Sequence, residues 1–315
     1  MLLSTLLLLV VSSGVAYAIF TRSRTVPSNA FTTAADWTAP TASSVIGKTT
    51  GYTTGFIKQG GTYYVYAQVT DNGNPPGGVS TVTANVSTIT TGQTAVSLTA
   101  GSYSAGGVSY NYRSASLTAN ASLSAGTYTY SITSTDVGGH SGTQSGFSVT
   151  VDNTAPSASD IQTANNGSIV GRAQQNDTVT YTFSEPMEPD TILAGWTGAS
   201  TSVVVHLTNG LLVLDDTMTI YNAADTTQLP LGSVDLGRAD YVGGDRTFGA
   251  SGTASTMVMS GSTITITLGT QSGAATTAGG NGTMTWSPSS TPTDDAGNAC
   301  STSNRNETGA SDKEF

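Results

Sequence analysis

Cysteine, charge and histidine are what this chain has least of. A single cysteine, Cys300, stands in 315 residues, which excludes an intrachain disulfide and leaves any folded part to be held by its hydrophobic core. Cys300 reads as a half-exposed thiol without a role, and it lies too far from the N-terminus to carry a lipid anchor. Only 10% of the residues are charged, against about 25% in an ordinary soluble domain. Glu, Lys, Arg and Leu, the builders of long helices, are scarce beyond the first residues, so a helical fold is not expected. The ten basic side chains form no cluster, and a formal charge of −10 repels phosphate backbones and anionic lipid. No nucleic-acid partner is expected. Two histidines, His140 and His206, with one thiol cannot make a histidine- or cysteine-rich metal centre.

What is abundant is Thr, Ser, Asn and glycine, of which there are 37. Thr, Val, Ile and Tyr together suit a pleated, half-buried surface. At roughly 100 to 200 residues per domain, the length predicts two folded units.

Residues 2–11 read LLSTLLLLVV and lead through Ser12, Ser13 and Gly14 to Ala16-Tyr17-Ala18, an apolar core followed by the small residues of a cleavage site. Removal of residues 1–18 is expected, with export to the cell surface or beyond. The alternative is an uncleaved membrane anchor, since Met1 to Phe20 is close to the length that crosses a bilayer. No Lys or Arg precedes the apolar run, while Arg22 and Arg24 follow it; the simplest expectation is a true start further upstream. Ala16-Tyr17-Ala18-Ile19-Phe20, with Val26-Pro27-Ser28-Asn29-Ala30-Phe31 downstream, resembles the TasA/SipW class of export signals. That resemblance implies a surface or matrix destination and no particular chemistry. Arg22 stands where the class commonly has an acidic residue.

From Asp36 the chain consists of short alternating runs split by Gly, Asn, Asp and Pro, the pattern of an all-β sandwich. In Thr62 to Thr70 the period of two places Tyr63, Val65, Ala67 and Val69 toward a core and Tyr64, Tyr66 and Gln68 on the other face. Further strands are predicted at 79–86, 95–98, 110–117, 126–133 and 146–151, which makes about seven in a first domain spanning 40–156 after a linker at 19–39. A second domain, 157–315, is predicted with strands at 178–187, 202–207, 211–221 and 262–268, a long glycine-rich loop at 269–282 and a polar tail from Arg305. Asp152-Asn153-Thr154-Ala155-Pro156 reads as the extended linker between them.

Thr133-Ser134-Thr135-Asp136-Val137-Gly138-Gly139 followed by Phe147-Ser148-Val149-Thr150-Val151-Asp152-Asn153-Thr154-Ala155-Pro156 resembles the close of bacterial immunoglobulin-like repeats, with Gly139 where Asn is usual. Tyr181-Thr182-Phe183-Ser184-Glu185-Pro186-Met187 resembles the Y-x-F-S-E-P-M strand of another set of such domains. The D-x-A-G-N element recurs as Asp136 to Gly139 and Asp295 to Asn298, which favours a diverged tandem. The resemblance implies two tandem immunoglobulin-like β-sandwich domains that serve as spacers or adhesive modules.

Carboxylates come in pairs at Asp215-Asp216, Asp294-Asp295 and Glu185 with Glu188, the residue type that glycoside hydrolysis needs. Neighbours along a strand point to opposite faces, and Glu185 and Glu188 flank Pro186 and Pro189 in what reads as a solvated loop. His206 reads as a strand-face residue and His140 as solvated in a glycine-rich turn. No G-x-S-x-G elbow is present. No catalytic residue and no enzyme activity are expected. Trp196 and Trp286 read as sandwich core, although with the tyrosines of the first domain they could stack on sugars. Two functions follow: a secreted or cell-surface structural or adhesive protein, and alternatively an extracellular carbohydrate-binding module without catalysis. Their partners would be surface or matrix components, other copies of the chain, or glycans, with the membrane met only through an uncleaved N-terminal segment. No cofactor is required. Calcium is the candidate ligand of Asp136, Asp152 and Asn153, all hard oxygen donors, against the plainer role of Asp and Asn in capping turns.

Overall fold

The computed structural model describes residues 36–73, 76–211 and 214–315, with the backbone of Leu8–Val10 and Ala16–Ala18, which pair antiparallel. The rest of the expected export signal, the expected new N-terminus at Ile19 and the run Ser28-Asn29-Ala30-Phe31 lie outside the described residues. Among the described residues the fold is all-β, with a 3-10 turn at Pro189–Thr191.

Nine strands come from the first half of the chain: β1 Thr41–Lys48, β2 Phe56–Ile57, β3 Thr62–Thr70, β4 Val79–Asn85, β5 Val96–Ala105, β6 Val108–Ser114, β7 Leu117–Thr118, β8 Gly126–Asp136 and β9 Ser141–Val151. They follow one hydrogen-bonded path, β1-β3-β6-β5-β4-β8-β9-β2, with β7 on β3. β4 and β5 share only Thr83↔Ser97 and Ala84↔Val96. The strands before and after this narrow join contribute to one core, in which Val65 and Ala67 of β3 meet Val82 of β4, Ile132 of β8 and Val149 of β9. Alternation drives β3 as its sequence predicts, with Tyr63, Val65, Ala67 and Val69 all in that core. Tyr66, on the opposite face, is nevertheless buried. Its ring lies 6.0 Å from Tyr64 and 5.7 Å from Tyr110, and Arg113 sits over the rings of Tyr64 and Tyr103 at 4.3 and 4.5 Å. An aromatic and cationic layer thus covers the outer face of β3.

Ten strands come from the second half: β10 Ala158–Ala164, β11 Thr178–Phe183, β12 Thr201–Thr208, β13 Thr217–Asn222, β14 Ser233–Asp235, β15 Arg246–Phe248, β16 Ser255–Ser260, β17 Thr263–Thr267, β18 Thr285–Ser287 and β19 Arg305–Asn306. Their order is β10-β11-β17-β16-β12-β13-β14-β18-β19, with β15 on β12. The Thr/Ile alternation of β17 buries Ile264 and Ile266, which pair with Tyr181 and Val179 of β11. A second hydrophobic core, drawn entirely from residues 158–315, takes in these side chains with Val203, Val205, Met218, Val234 and Trp286.

Two expectations are corrected. The strand expected at 211–221 begins only at Thr217. Before it, Asn209 Oδ1 captures the Leu211 N–H at 2.7 Å and Asp216 Oδ1 captures that of Gly210 at 3.0 Å, while Leu211 adopts φ 55°. Side-chain capture of these donors removes them from any ladder. The tail is not a free polar segment either. Arg305–Asn306 adds β19 to the sheet, and Phe315 is buried with its ring 6.0 Å from that of Tyr241.

A carboxylate clasp where the two sheets meet

Pro186 and Pro189 keep the chain around Glu188 extended, at φ −74° and ψ 109°, just before the 3-10 turn. The Glu188 N–H donates to Thr293 O at 2.8 Å, and its side chain is fully buried. That carboxylate leaves its own half of the chain. Oε1 accepts from the Tyr52 N–H at 2.9 Å, and Oε2 accepts from the Thr53 N–H at 3.1 Å and from Lys48 Nζ at 2.9 Å. All three donors belong to the end of β1 and the loop after it. The expectation of a solvated Glu188 is therefore overturned: every oxygen is occupied, which removes it as a general acid or base for an outside substrate. Gly51 makes room for the approach. It sits at φ +100°, and a Cβ there would lie 2.8 Å from Glu188 Oε2. Gly51→Ala combines left-handed backbone strain of about 1–2 kcal/mol with displacement of the carboxylate, so we expect a loss of at least ~2 kcal/mol in urea unfolding. An unchanged midpoint would contradict this placement.

Lys48 Nζ also bonds the Asp295 carbonyl, and Lys58 Nζ bonds the Gly297 carbonyl. Both acceptors lie in a tight turn. Asp294 Oδ1 accepts from the Asn298 N–H at 2.7 Å, Oδ2 accepts from Asn298 Nδ2 at 2.8 Å, and Gly297 has φ +93°. The same turn occurs in the first half. Asp136 Oδ1 accepts from the His140 N–H at 2.8 Å, Oδ2 meets His140 Nδ1 at 3.0 Å, and Gly139 has φ +89°. Geometry thus aligns Asp136 with Asp294, Gly139 with Gly297 and His140 with Asn298. This shifts the sequence alignment by one residue, and Gly139 is no departure from the pattern because His140 occupies the Asn position.

Asn298 Nδ2 further donates to Asp152 O at 3.0 Å, which brings the second turn against the linker. One carboxylate oxygen from each of Asp152, Glu185 and Asp294 lies within 4.8 Å of the others. Burial, and then the charges of Asp152 and Asp294, push the Glu185 carboxyl up to about 7. A carboxyl that holds its proton more firmly folded than unfolded stabilises the fold while protonated. That contribution is complete below the unfolded value of about 4.3 and is lost as pH rises through about 7. In chelator, unfolding free energy should therefore decline from pH 5 to pH 7.5, and Glu185→Gln should flatten the decline. Equal slopes for the two proteins would contradict it.

Asp136 and Asp152 are not brought together, since they bracket the eleven-residue β9, a separation of roughly 35 Å at the usual rise per residue. Asp152 Oδ1 caps its own turn through the Thr154 N–H, and Asn153 spans Gln59 N and Leu123 O of the first half. His140 is not simply solvated, as it pairs with Asp136 and lies 5.4 Å from the Trp37 ring. His206 stacks on Tyr221 at 4.2 Å and meets Asp225 Oδ1 at 2.5 Å. Asp216 is buried on the Gly210 and Val242 N–H groups while Asp215 is exposed, and both precede β13, so their different surroundings come from the loop and not from strand alternation. Cys300 is buried rather than half-exposed, and burial with the Glu185 charge pushes its thiol up to about 11, away from reactive thiolate. Trp196 and Trp286 are both buried. No protein-family model matches this sequence, and no curated protein matches it at a significant level.

Proposed function

We propose that the chain is a secreted or cell-surface, non-catalytic bacterial protein in which two immunoglobulin-like β-sandwich domains act as one stalk or assembly module. The observation that carries this reading is the Glu188 clasp. A carboxylate from one core is buried on the backbone and a lysine of the other, an arrangement that serves to hold two modules in fixed relation and has no use in turnover. The recurrence of the aspartate-glycine turn favours a tandem origin. A carbohydrate-binding role finds less support, because Trp196 and Trp286 are core residues, exposed Trp37 stands alone beside His140, and Tyr64, Tyr66 and Tyr110 are not coplanar. Tyr64 and Tyr66 are inclined at 75° and Tyr66 and Tyr110 at 46°, with Arg113 between Tyr64 and Tyr103.

Fractionation of a producing culture into supernatant, wall, membrane and cytoplasm, with N-terminal sequencing and a glycan array on the recovered protein, tests the proposal. We expect protein outside the membrane, beginning at Ile19 and binding no glycan saturably. Recovery from the cytoplasm alone would overturn export, and saturable sugar binding would favour the carbohydrate-binding role.

A further inference from the structure

We propose that Glu307, Asp312 and Glu314 form a binding site for calcium, in the place where the last residues fold back over the second sheet. The site is distinct from the clasp and from the three carboxylates beside the linker.

Three features of the chain assemble it. β19 ends at Asn306, and Glu307 continues the edge: its N–H donates to Met284 O at 3.0 Å and its Oε1 accepts from the Met284 N–H at 3.0 Å. Asp312 is exposed but anchored through its carbonyl, which accepts from the Gly282 N–H at 2.8 Å. Glu314 is buried, at 1% exposure, with its N–H on the Tyr241 hydroxyl at 2.8 Å. One carboxylate oxygen from each of the three residues lies within 4.8 Å of the others. Oxygen ligands at about 2.3–2.6 Å from a calcium ion can stand up to roughly 5 Å apart across its coordination sphere, so this spacing can accommodate one.

A cluster of carboxylates at a surface has no need of an ion, but Glu314 is not at the surface. Its Oε2 accepts from Thr163 Oγ1 at 2.6 Å, while its Oε1 is buried without a hydrogen-bond partner. Oε2 is committed to Thr163, which leaves Oε1 as the oxygen available to an ion shared with Glu307 and Asp312. A buried polar atom without a partner is rare and calls for one. None of the ion pairs among the described residues involves these three carboxylates. Oxygen is the sole donor type, which fits a hard cation and not a thiolate- or imidazole-seeking metal. Exposed Asp312 leaves the site open on one side for entry and for water ligands.

Such an ion would tie three points of the terminal segment together over β18 and make order in that segment depend on calcium. The test uses the full secreted chain, stripped with chelator and titrated with calcium chloride by calorimetry, alongside tryptic cleavage at Lys313 with and without calcium. We expect saturable binding, slower cleavage in calcium, and at least tenfold weaker binding in both Asp312→Asn and Glu314→Gln. Asp152→Asn should leave the affinity unchanged. Asp312 is exposed, so its variant keeps the test valid should Glu314→Gln fail to fold. No saturable binding up to about 10 mM calcium, beyond the range of weak extracellular sites, would overturn the proposal. Binding that survives Asp312→Asn or is lost in Asp152→Asn would overturn it as well.

Discussion

Glu188→Ala should lower the unfolding free energy by about 3–5 kcal/mol, the range found when one partner of a buried ion pair is removed. The reason is the number of groups it abandons. Lys48 Nζ would keep only carbonyl acceptors, and the N–H groups of Tyr52 and Thr53 would lose their acceptor. A donor left without a partner adds up to roughly 1–3 kcal/mol where water cannot replace the carboxylate, so the loss should exceed that of an ordinary surface ion pair, which is about 0–1 kcal/mol. Glu188→Gln retains an acceptor and should cost less. Combining Lys48→Met with Glu188→Gln removes the stranded charge, and the double variant should recover part of the loss through coupling between touching residues. Urea unfolding of the four proteins measures this directly. A Glu188→Ala midpoint equal to that of the parent would show that the clasp does not hold.

Trp286→Ala should be comparably damaging, at about 3–5 kcal/mol, because a large buried aromatic leaves a cavity its neighbours cannot fill. The indole is fully buried and meets Tyr181 and Phe183 edge to face, at 5.0 Å and 81° and at 4.9 Å and 83°. Its Nε1 donates to Leu231 O at 2.7 Å. Trp286→Phe keeps a ring but strands the Leu231 carbonyl, so about 1–3 kcal/mol is expected. The substitution also separates two roles for this side chain. A core tryptophan lost to alanine lowers the melting temperature and broadens the spectrum of the folded state, whereas a sugar platform lost to alanine leaves melting intact. Unchanged melting of Trp286→Ala would reject the core placement.

The strands were legible where one physical rule acted alone. β3 and β17 alternate, and the side chains that alternation sends inward are the ones found in the cores. β1, in contrast, reads TASSVIGK, and of its side chains only Ile46 is a large apolar one that is fully buried, so the hydrophobic period is too weak to mark it. Glu188 was hidden for a different reason. Its flanking prolines do describe a loop, but its partner Lys48 lies 140 residues earlier, and no local pattern signals a contact across that distance. The aspartate-glycine turn was visible but out of register, since a short motif with one variable residue admits two alignments until its hydrogen bonds are known. For the tail, a single terminal Phe315 among polar residues gives no period to read. Its burial depends on Tyr241 and on the edge that β19 completes.

Differential scanning calorimetry of the full chain tests most directly the central claim that the clasp joins two cores into one unit. The account predicts a single transition in which calorimetric and van't Hoff enthalpies agree, and its division into two transitions in Glu188→Ala. Two independent transitions in the unmodified chain, with the same two midpoints retained in Glu188→Ala, would contradict it.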